Sequence, residues 1–306
     1  MRNVLIGALL LMAAGCTKDY NLQGNGSKQL YVIEGRISNL QGPYYVRITM
    51  SGGLSGQPTG GLDNAEAVKD ALVIISDDMG MVDTLVPADW RVSRVSPPYT
   101  GDRGYYQTTK ITGSPGHTYH LQVRTGNETF QASAYMPYVT TLDSIELRNS
   151  IPVTDTNVHP SQTAYAYFKE PQSEENYYLL QLNTAYDSTY DNARGYFSVA
   201  GIFPFYVFDD KTLPPYVNGM AVGAILANGV DNGGFVPYPV VPYDDVEVRL
   251  CSLTREAYEY FVTIEKQFQV DGNVYKPAPA SASGNISGGA LGLFWATSIS
   301  YKVRLY

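Results

Sequence analysis

The sequence predicts a mainly β protein made of two successive β-rich domains. Three observations lead to this fold class. The 306 residues contain 26 Tyr beside 10 Phe and 2 Trp, and Tyr suits the half-buried surface of a pleated sheet. The 29 Gly and 18 Pro supply frequent turns. Apolar residues recur at every second position in short runs, which is typical of strands with one buried face.

Residues 1–15 resemble a bacterial secretory signal peptide. The stretch from Val4 to Ala14 is apolar or small without a break. As a helix it rises only about 16 Å, against roughly 30 Å of membrane hydrocarbon, so it is too short for a permanent span. Small residues lead directly to Cys16, and this arrangement resembles the lipobox of bacterial lipoproteins. We therefore expect lipid on Cys16; the alternative is an ordinary signal peptide followed by a chance cysteine.

Residues 16–28 predict a flexible tether behind the lipidated cysteine. The segment is polar and contains Gly, so it cannot bury enough apolar area to fold. Lys18 and Asp19 resemble the surface-export signal of Bacteroidota lipoproteins. The expected location is the outer membrane, with the protein anchored in the lipid bilayer through acylated Cys16 and facing the cell surface.

Charge and cysteine content narrow the classes of function. The chain has 21 basic and 29 acidic side chains and a net charge of −8, which argues against nucleic acid because phosphate binding needs a basic surface. Lipidation of Cys16 would leave Cys251 alone. We therefore expect no disulfide within the chain, and Cys251, in an apolar strand pattern, is predicted to be a reduced structural thiol.

Residues 29–137 are predicted to form an immunoglobulin-like (transthyretin-like) β-sandwich. In residues 44–50 Tyr, Val, Ile and Met share one face, and residues 117–124 and 129–136 alternate in the same way. The segment 71–76 is apolar throughout, as expected of a central strand. Turn sequences separate six or seven such strands within about a hundred residues, which is the spacing of this type of sandwich.

Residues 138–306 are predicted to form a second β-sandwich or barrel-like domain. Strands are expected at about 163–168, 177–183, 196–200, 246–251 and 299–305. One amphipathic helix is expected at 254–269, with Thr254 as its cap and an apolar stripe that contains Ala257 and Phe261. The stripe is expected to pack on the second sheet, and a partner-binding helix is the alternative.

An aromatic segment between the clearer strands gives the candidate binding residues. Prolines among these rings predict long ordered loops rather than central strands. Tyr offers contact area and a hydroxyl group, which suits recognition of sugar, peptide or protein. The alternative is that the rings fill the core of the second domain. The candidates are Tyr196, Phe203, Phe205, Tyr206, Phe208, Tyr216, Phe235, Tyr238 and Tyr243.

No catalytic motif is predicted. The sequence has three His, no Gly-x-Ser-x-Gly motif and no lysine in its Gly-rich segment 284–289. Glycoside hydrolysis requires two acids that face each other across a cleft, whereas the paired acids of this chain lie in turn sequences. We expect no cofactor; a structural calcium ion held by Asp187, Asp191 and Asn192 is the alternative.

Three stretches together resemble a known family. They are residues 30–39 (LYVIEGRISN), residues 130–147 across the boundary between the domains, and residues 257–268 followed by 284–296. They are similar to the Bacteroidota outer-membrane lipoproteins of domain-of-unknown-function family 4249. The resemblance implies a two-part β protein on the cell surface, often encoded beside a TonB-dependent transporter, and supplies no catalytic residues.

The sequence and this resemblance together lead to one expected function and two rivals. We expect a non-catalytic binding or accessory subunit of a complex with a TonB-dependent outer-membrane receptor or another outer-membrane protein. The first rival is a structural component of an outer-membrane or envelope assembly. The second is a glycan- or peptide-degrading enzyme.

Overall fold

The computed structural model describes residues 29–51, 66–88, 104–149, 162–188, 193–198, 205–225, 245–270 and 282–305. Within these ranges the chain forms seventeen strands and one helix, which confirms the mainly β fold class. The strands lie in four sheets, and three clusters of buried apolar side chains hold the sheets and the helix together.

Two sheets form a sandwich in the first half of the molecule. The bounds of their strands are β1 Tyr31–Ser38, β2 Tyr45–Met50, β3 Leu72–Asp77, β4 Val82–Thr84, β5 Val86–Pro87, β6 Tyr105–Gln107, β7 Thr118–Thr125 and β8 Glu128–Tyr135. One sheet contains strands β1, β2, β5 and β6, and the facing sheet has the order β4-β3-β7-β8.

The predicted alternation in this sandwich is confirmed. Val46 and Ile48 are buried on β2, and Leu121 and Val123 are buried on β7. The intervening residues of these strands are partly or fully exposed, because successive side chains of a strand point to opposite faces. The inward faces of the two sheets therefore meet in one apolar core.

The second half of the chain supplies the remaining elements. Their bounds are β9 Leu142–Asn149, β10 Gln162–Lys169, β11 Tyr177–Ser188, β12 Ala193–Ser198, β13 Phe205–Asp209, β14 Tyr216–Ile225, β15 Asp245–Leu253, helix α1 Arg255–Val270, β16 Phe294–Thr297 and β17 Ile299–Leu305. One sheet has the order β14-β10-β9 and another β12-β11-β15-β17, with β13 also paired to β11. The second core lies between them and contains Phe168, Tyr178 and Val248.

Strand β16 joins the first sandwich although it lies near the end of the chain. It runs parallel to β1, with Gly35 opposite Phe294, and completes the sheet order β16-β1-β2-β6-β5. Ile286, Phe294 and Ala296 are buried in the first core. The side chain of Asn285 holds the segment before β16 against that strand. Its amide donates to the carbonyl of Phe294 at 2.7 Å, and its oxygen accepts from the Phe294 N–H at 2.9 Å.

The boundary region near Pro137 is held by two serines of the later chain. The hydroxyl of Ser252 donates to the Pro137 carbonyl at 2.9 Å, and that of Ser298 donates to the same oxygen at 2.5 Å. Both serine side chains are buried, so this link is shielded from water.

The prediction that the aromatic segment forms long loops is wrong for four of its residues. Phe205, Tyr206 and Phe208 lie in β13, and Tyr216 begins β14. The prolines stand next to these strands in the sequence, at Pro204, Pro214 and Pro215, rather than inside them. A proline at a strand boundary removes no hydrogen bond from the strand interior, so it does not prevent pairing.

The helix predicted at 254–269 is confirmed as α1. The Thr254 hydroxyl accepts from the Ala257 N–H at 3.3 Å and so caps the first turn. Ala257 is buried, and Tyr258 and Phe261 pack with Tyr177, Leu179 and Cys251 on the outer face of the β11–β15 sheet. The same cluster includes Leu293 and Trp295 beside β1, so α1 lies where the two halves of the molecule meet.

Helix α1 is the only helix in the described ranges, and no described helix has both the length and the apolar content required to cross a membrane.

Candidate functional site

The described candidate residues of the aromatic segment do not form one exposed surface. Phe208 is buried in the second core, where its ring lies 5.4 Å from that of Tyr178. Tyr206 stacks on Phe208 at 5.4 Å and is 46% exposed, and Tyr216 is 43% exposed. Phe208 therefore follows the alternative interpretation, in which the rings fill the core.

The other candidates lie partly or wholly outside the described residues. Tyr196 and Phe205 have a described backbone, in β12 and β13, but no described side chain. Cys16 with its tether, and the aromatic residues Phe203, Phe235, Tyr238 and Tyr243, lie outside the described ranges. Lipidation and an aromatic binding face remain predictions from the sequence.

The acidic and thiol groups single out no metal site in the described part of the chain. No group of three or more His, Cys, Asp or Glu side chains is arranged there to hold a metal ion. Of the proposed calcium ligands, Asp187 has only a described backbone, and Asp191 and Asn192 lie outside the described ranges. Cys251 is buried in β15, and burial raises the pKa of its thiol to about 11, as expected of a reduced structural cysteine.

A cleft with a volume of about 330 Å³ lies between the outer face of the first sandwich and helix α1. Strands β1, β2, β6 and β16 form its floor, and Tyr260 and Phe261 of α1 form one wall. The volume falls at the lower end of the range for small-molecule sites, which are common where two parts of a protein meet. This cleft is the candidate functional site. Its lining residues are Glu34, Gly35, Arg36, Tyr45, Arg47, Tyr105, Tyr260, Phe261, Leu293 and Trp295.

The strand register places rings and charges next to each other on the floor. Trp295 lies opposite Arg36 in the parallel β1–β16 pair, and Glu34 lies opposite Arg47 in the antiparallel β1–β2 pair. Tyr105 lies opposite Arg47 on the other side. Neighbouring side chains on one face of a sheet stand about 5 Å apart, so both arginines have an aromatic neighbour.

The arginines of the floor contact these aromatic rings. The Arg36 guanidinium lies 5.7 Å from the centroid of the Trp295 ring, and that of Arg47 lies 5.5 Å from the Tyr105 ring. Such a cation–π contact holds a guanidinium in place, and at Arg36 it leaves N–H groups for an acceptor. Tyr45 meets Tyr105 edge to face at 6.3 Å, which fixes the orientation of the second ring.

Arg36 is the most desolvated cation of the cleft. Burial lowers the pKa of its guanidinium, and the neighbouring charge of Arg249 lowers it further, although Cys251 acts in the opposite direction. The described residues provide no carboxylate that forms an ion pair or hydrogen bond with Arg36. Arg249, by contrast, has Glu247 within 2.5 Å. A partly buried cation without an anion costs folding free energy, and a bound anion would offset that cost.

The helix wall is apolar near Trp295 and polar near Glu34. Phe261 meets Trp295 edge to face at 5.1 Å, and Tyr260 lies 5.7 Å from Phe261. Burial, with a smaller contribution from the charge of Glu34, raises the pKa of Tyr260 to about 12. The Tyr260 hydroxyl therefore keeps its proton at physiological pH and can donate as well as accept a hydrogen bond.

Sequence reasoning missed this cleft although a signal was present. In β1 and β2 the outward positions hold Glu34, Arg36, Tyr45 and Arg47, between inward aliphatic residues. Long aromatic and guanidinium side chains on the solvent face of two successive strands indicate a surface with a role beyond solubility.

Comparison with known proteins identifies the family of the chain. No curated protein matches the chain. A family model described as Domain of unknown function (DUF4249) matches residues 17–302, which include every residue that lines the cleft. The match covers almost the whole sequence, and the chain therefore belongs to the DUF4249 family.

Proposed function

We propose that this protein is a surface-exposed outer-membrane lipoprotein that binds a ligand in the cleft between the first sandwich and α1. It acts as a non-catalytic accessory subunit of a TonB-dependent transporter and delivers or presents the ligand to that partner. The proposed anchor is acylated Cys16, joined to β1 by the polar tether of residues 16–28.

The observation that carries the proposal is the composition of the cleft. Aromatic rings provide large contact areas and guanidinium groups provide directed hydrogen bonds, and both are enriched among the residues that dominate binding energy. Only Glu34 contributes a carboxylate among the described lining residues. Hydrolysis by a carboxylate pair needs a second acid on the opposite side of the bond. The arrangement therefore supports binding better than turnover.

The position of the cleft supports an accessory role. The β1 strand begins at Tyr31, shortly after the proposed tether, and the cleft includes Glu34 and Arg36 of that strand. The tether from Cys16 to residue 28 spans at most about 45 Å when fully extended. The cleft would therefore stay close to the membrane, within reach of a transporter embedded in it.

Crosslinking on intact cells tests the proposed partner. An affinity-tagged chain is crosslinked, extracted with detergent and purified, and the expected main partner is a TonB-dependent receptor. The matched control is Cys16→Ser, which should leave the membrane fraction and lose the crosslinked receptor. Recovery of envelope assembly proteins without a receptor would contradict the proposal and favour the structural role. Retention of the Cys16→Ser chain in the membrane would contradict the lipid anchor.

A turnover assay tests the non-catalytic part of the proposal. The bound ligand should be recovered unchanged after prolonged incubation with the wild-type protein. Degradation that disappears in Glu34→Gln would contradict this expectation and favour the enzyme.

A further inference from the structure

We infer that the cleft binds an acidic carbohydrate, with the carboxylate of a uronate-type sugar held by Arg36 and the sugar hydroxyls bonded to the tyrosines of the cleft. This inference rests on the proposed function, because it names the ligand class of the same site. It is carried by three features: the guanidinium of Arg36, the phenol groups beside it and the sheet that forms the floor.

Arg36 specifies the acidic group of the ligand. Its guanidinium is held over Trp295 and, within the described residues, donates no hydrogen bond to an acid and forms no ion pair with one. A carboxylate binds a guanidinium through two parallel N–H···O bonds, and these are among the strongest hydrogen bonds in proteins. Because Arg36 is already partly desolvated and positioned by Trp295, little further ordering is needed when an anion binds.

The tyrosines specify the hydroxyl-bearing body of the ligand. Tyr45, Tyr105 and Tyr260 line the cleft and are each partly exposed. A phenol hydroxyl both donates and accepts, as do the hydroxyls of a sugar, so either group can adjust to the other. The ring edges and faces beside these hydroxyls cover the apolar C–H surfaces of the sugar. Glu34, on the same floor, adds a further acceptor.

The floor favours a carbohydrate over an extended peptide. A peptide that binds along a sheet pairs its backbone with an exposed strand edge. In this cleft β1 is paired on both sides, with β2 and β16, and β2 is paired with both β1 and β6. These backbone groups are already satisfied, and at the edge strand β16 the side chain of Asn285 bonds the N–H and carbonyl of Phe294, so a bound peptide would find few main-chain partners on the floor. A sugar needs only side-chain groups, which the cleft supplies.

The test compares matched acidic and neutral oligosaccharides on the full chain. Tetragalacturonate and tetramannuronate are the acidic probes, and tetragalactose and tetramannose are their neutral counterparts. Binding is measured by calorimetry and by Trp fluorescence in a Trp90→Phe background, where Trp295 is the remaining tryptophan. We expect at least one acidic probe to bind about tenfold or more tighter than its neutral counterpart, and the preference to decrease with added salt.

Variants assign the preference to Arg36. Arg36→Gln should reduce the affinity for the acidic probe about tenfold or more and leave neutral binding unchanged. Arg36→Lys keeps the charge but loses the planar pair of donors, so its affinity should lie between those of wild type and Arg36→Gln. The matched control is Arg148→Gln. Arg148 also stacks on a tyrosine, at 4.4 Å from the Tyr165 ring, but lies away from the cleft, so this change should leave binding unaltered.

Several results would overturn the inference. They are equal binding of acidic and neutral probes, binding of none of the four, wild-type affinity in Arg36→Gln, and tighter binding of a Glu- and Tyr-rich peptide than of the acidic sugars. Circular dichroism shows whether each variant is folded. If Arg36→Gln is unfolded, Arg36→Lys becomes the decisive variant. Failure with the sugars while the crosslinked receptor is still recovered would reject the ligand class alone. Loss of the receptor with sugar binding intact would reject the accessory role alone.

Discussion

The two halves of the molecule treat a buried acid in opposite ways. Asp83 in the first sandwich is fully buried and its carboxylate accepts four hydrogen bonds, from the N–H groups of Thr109, Lys110 and Ile111 at 2.7–3.0 Å and from the Thr109 hydroxyl at 2.6 Å. Glu170 in the second half is 3% exposed, and its Oε1 accepts from Tyr178 and Asn176, each at 3.1 Å. Among the described residues its buried Oε2 has no hydrogen-bond partner.

The number of donors decides the charge of each acid. Burial raises the pKa of Asp83, but the hydrogen bonds from Thr109, Ile111 and Lys110 together outweigh it, so the pKa lies below its ordinary value. For Glu170 burial outweighs the bonds from Tyr178 and Asn176, and the pKa is raised. The first sandwich is therefore built around a charged anchor, whereas the second half contains an acid that prefers to be neutral.

The halves also differ in how their sheets are completed. The first sandwich uses β16, from far along the chain, and Phe294 of that strand is fully buried in the first core. The second core uses strands from the second half alone. A change in the late segment 282–297 should therefore destabilise the first half more than the second.

The largest expected effect is that of Phe294→Ala. Removing a fully buried aromatic side chain leaves a cavity and should lower the free energy of unfolding by about 4 kcal/mol. Chemical denaturation measures this loss, and hydrogen exchange should show faster opening of β1 and β2 than of β11 and β15. The control is Tyr301→Ala, which removes a ring that is 48% exposed on β17 and should cost far less. Equal opening of both halves would mean that Phe294 does not stabilise the first half in particular.

The next effect is that of Asp83→Ala. The change leaves three backbone N–H groups without their acceptor in a buried site, which should lower the free energy of unfolding by about 3 kcal/mol. Asp83→Asn restores an acceptor without the charge, so its loss should be smaller. Asp143→Ala, at an exposed carboxylate of β9, should have little effect in the same urea titration. If Asp83→Ala were no more harmful than Asp143→Ala, the carboxylate would not be an anchor.

Glu170→Gln should raise the free energy of unfolding, by less than Asp83→Ala lowers it. At pH 7.5 the substitution removes a charge that the site disfavours and keeps an oxygen for Tyr178 and Asn176, so we expect a gain of about 1 kcal/mol in unfolding free energy. Thermal melting at pH 7.5 measures the gain, with the exposed Glu128→Gln as the control. Destabilisation by Glu170→Gln would mean that the ionised carboxylate is needed.

The smallest effect is on the pH dependence of the unfolding free energy, which should differ between wild type and each variant by on the order of half a kcal/mol per pH unit. The pKa of Glu170 is raised on folding, so its favourable contribution is complete below the unfolded pKa and is lost as the pH rises through the folded pKa. The pKa of Asp83 is lowered, so its contribution is present above the unfolded pKa and is lost as the pH falls. The stability of wild type relative to Glu170→Gln should therefore fall as the pH rises above about 4. The stability of wild type relative to Asp83→Asn should instead rise as the pH increases toward about 4 and stay level above that pH. Slopes of the same sign would contradict the assignment.

Much of the fold follows from local sequence patterns. Alternation predicted the buried faces of β2, β7 and β8, and the apolar stripe with the Thr254 cap predicted α1. These elements depend on neighbouring residues, whose spacing is visible in the sequence. Strands β13 and β14 were missed because prolines at the strand boundaries were interpreted as excluding strands.

The cleft depended on pairings that the sequence does not display. Trp295 reaches Arg36 through parallel pairing of two strands separated by more than 250 residues, and no local pattern specifies that partner. Phe261 reaches Trp295 only because α1 packs across both halves. The outward Arg36 and Arg47 were visible as unusual residues on a solvent face, but their joint role required the register.

The first sandwich cannot be completed until the distant strand β16 has been synthesised. During synthesis β1 leaves the ribosome more than 250 residues before β16, so one of its two neighbours in the sheet is added late. A prematurely terminated product that lacks residues 282–297 leaves one edge of β1 unpaired and lacks three side chains of the first core. Such a product would be readily recognised by chaperones and proteases, and only a finished polypeptide would assemble the floor on which Arg36 is displayed.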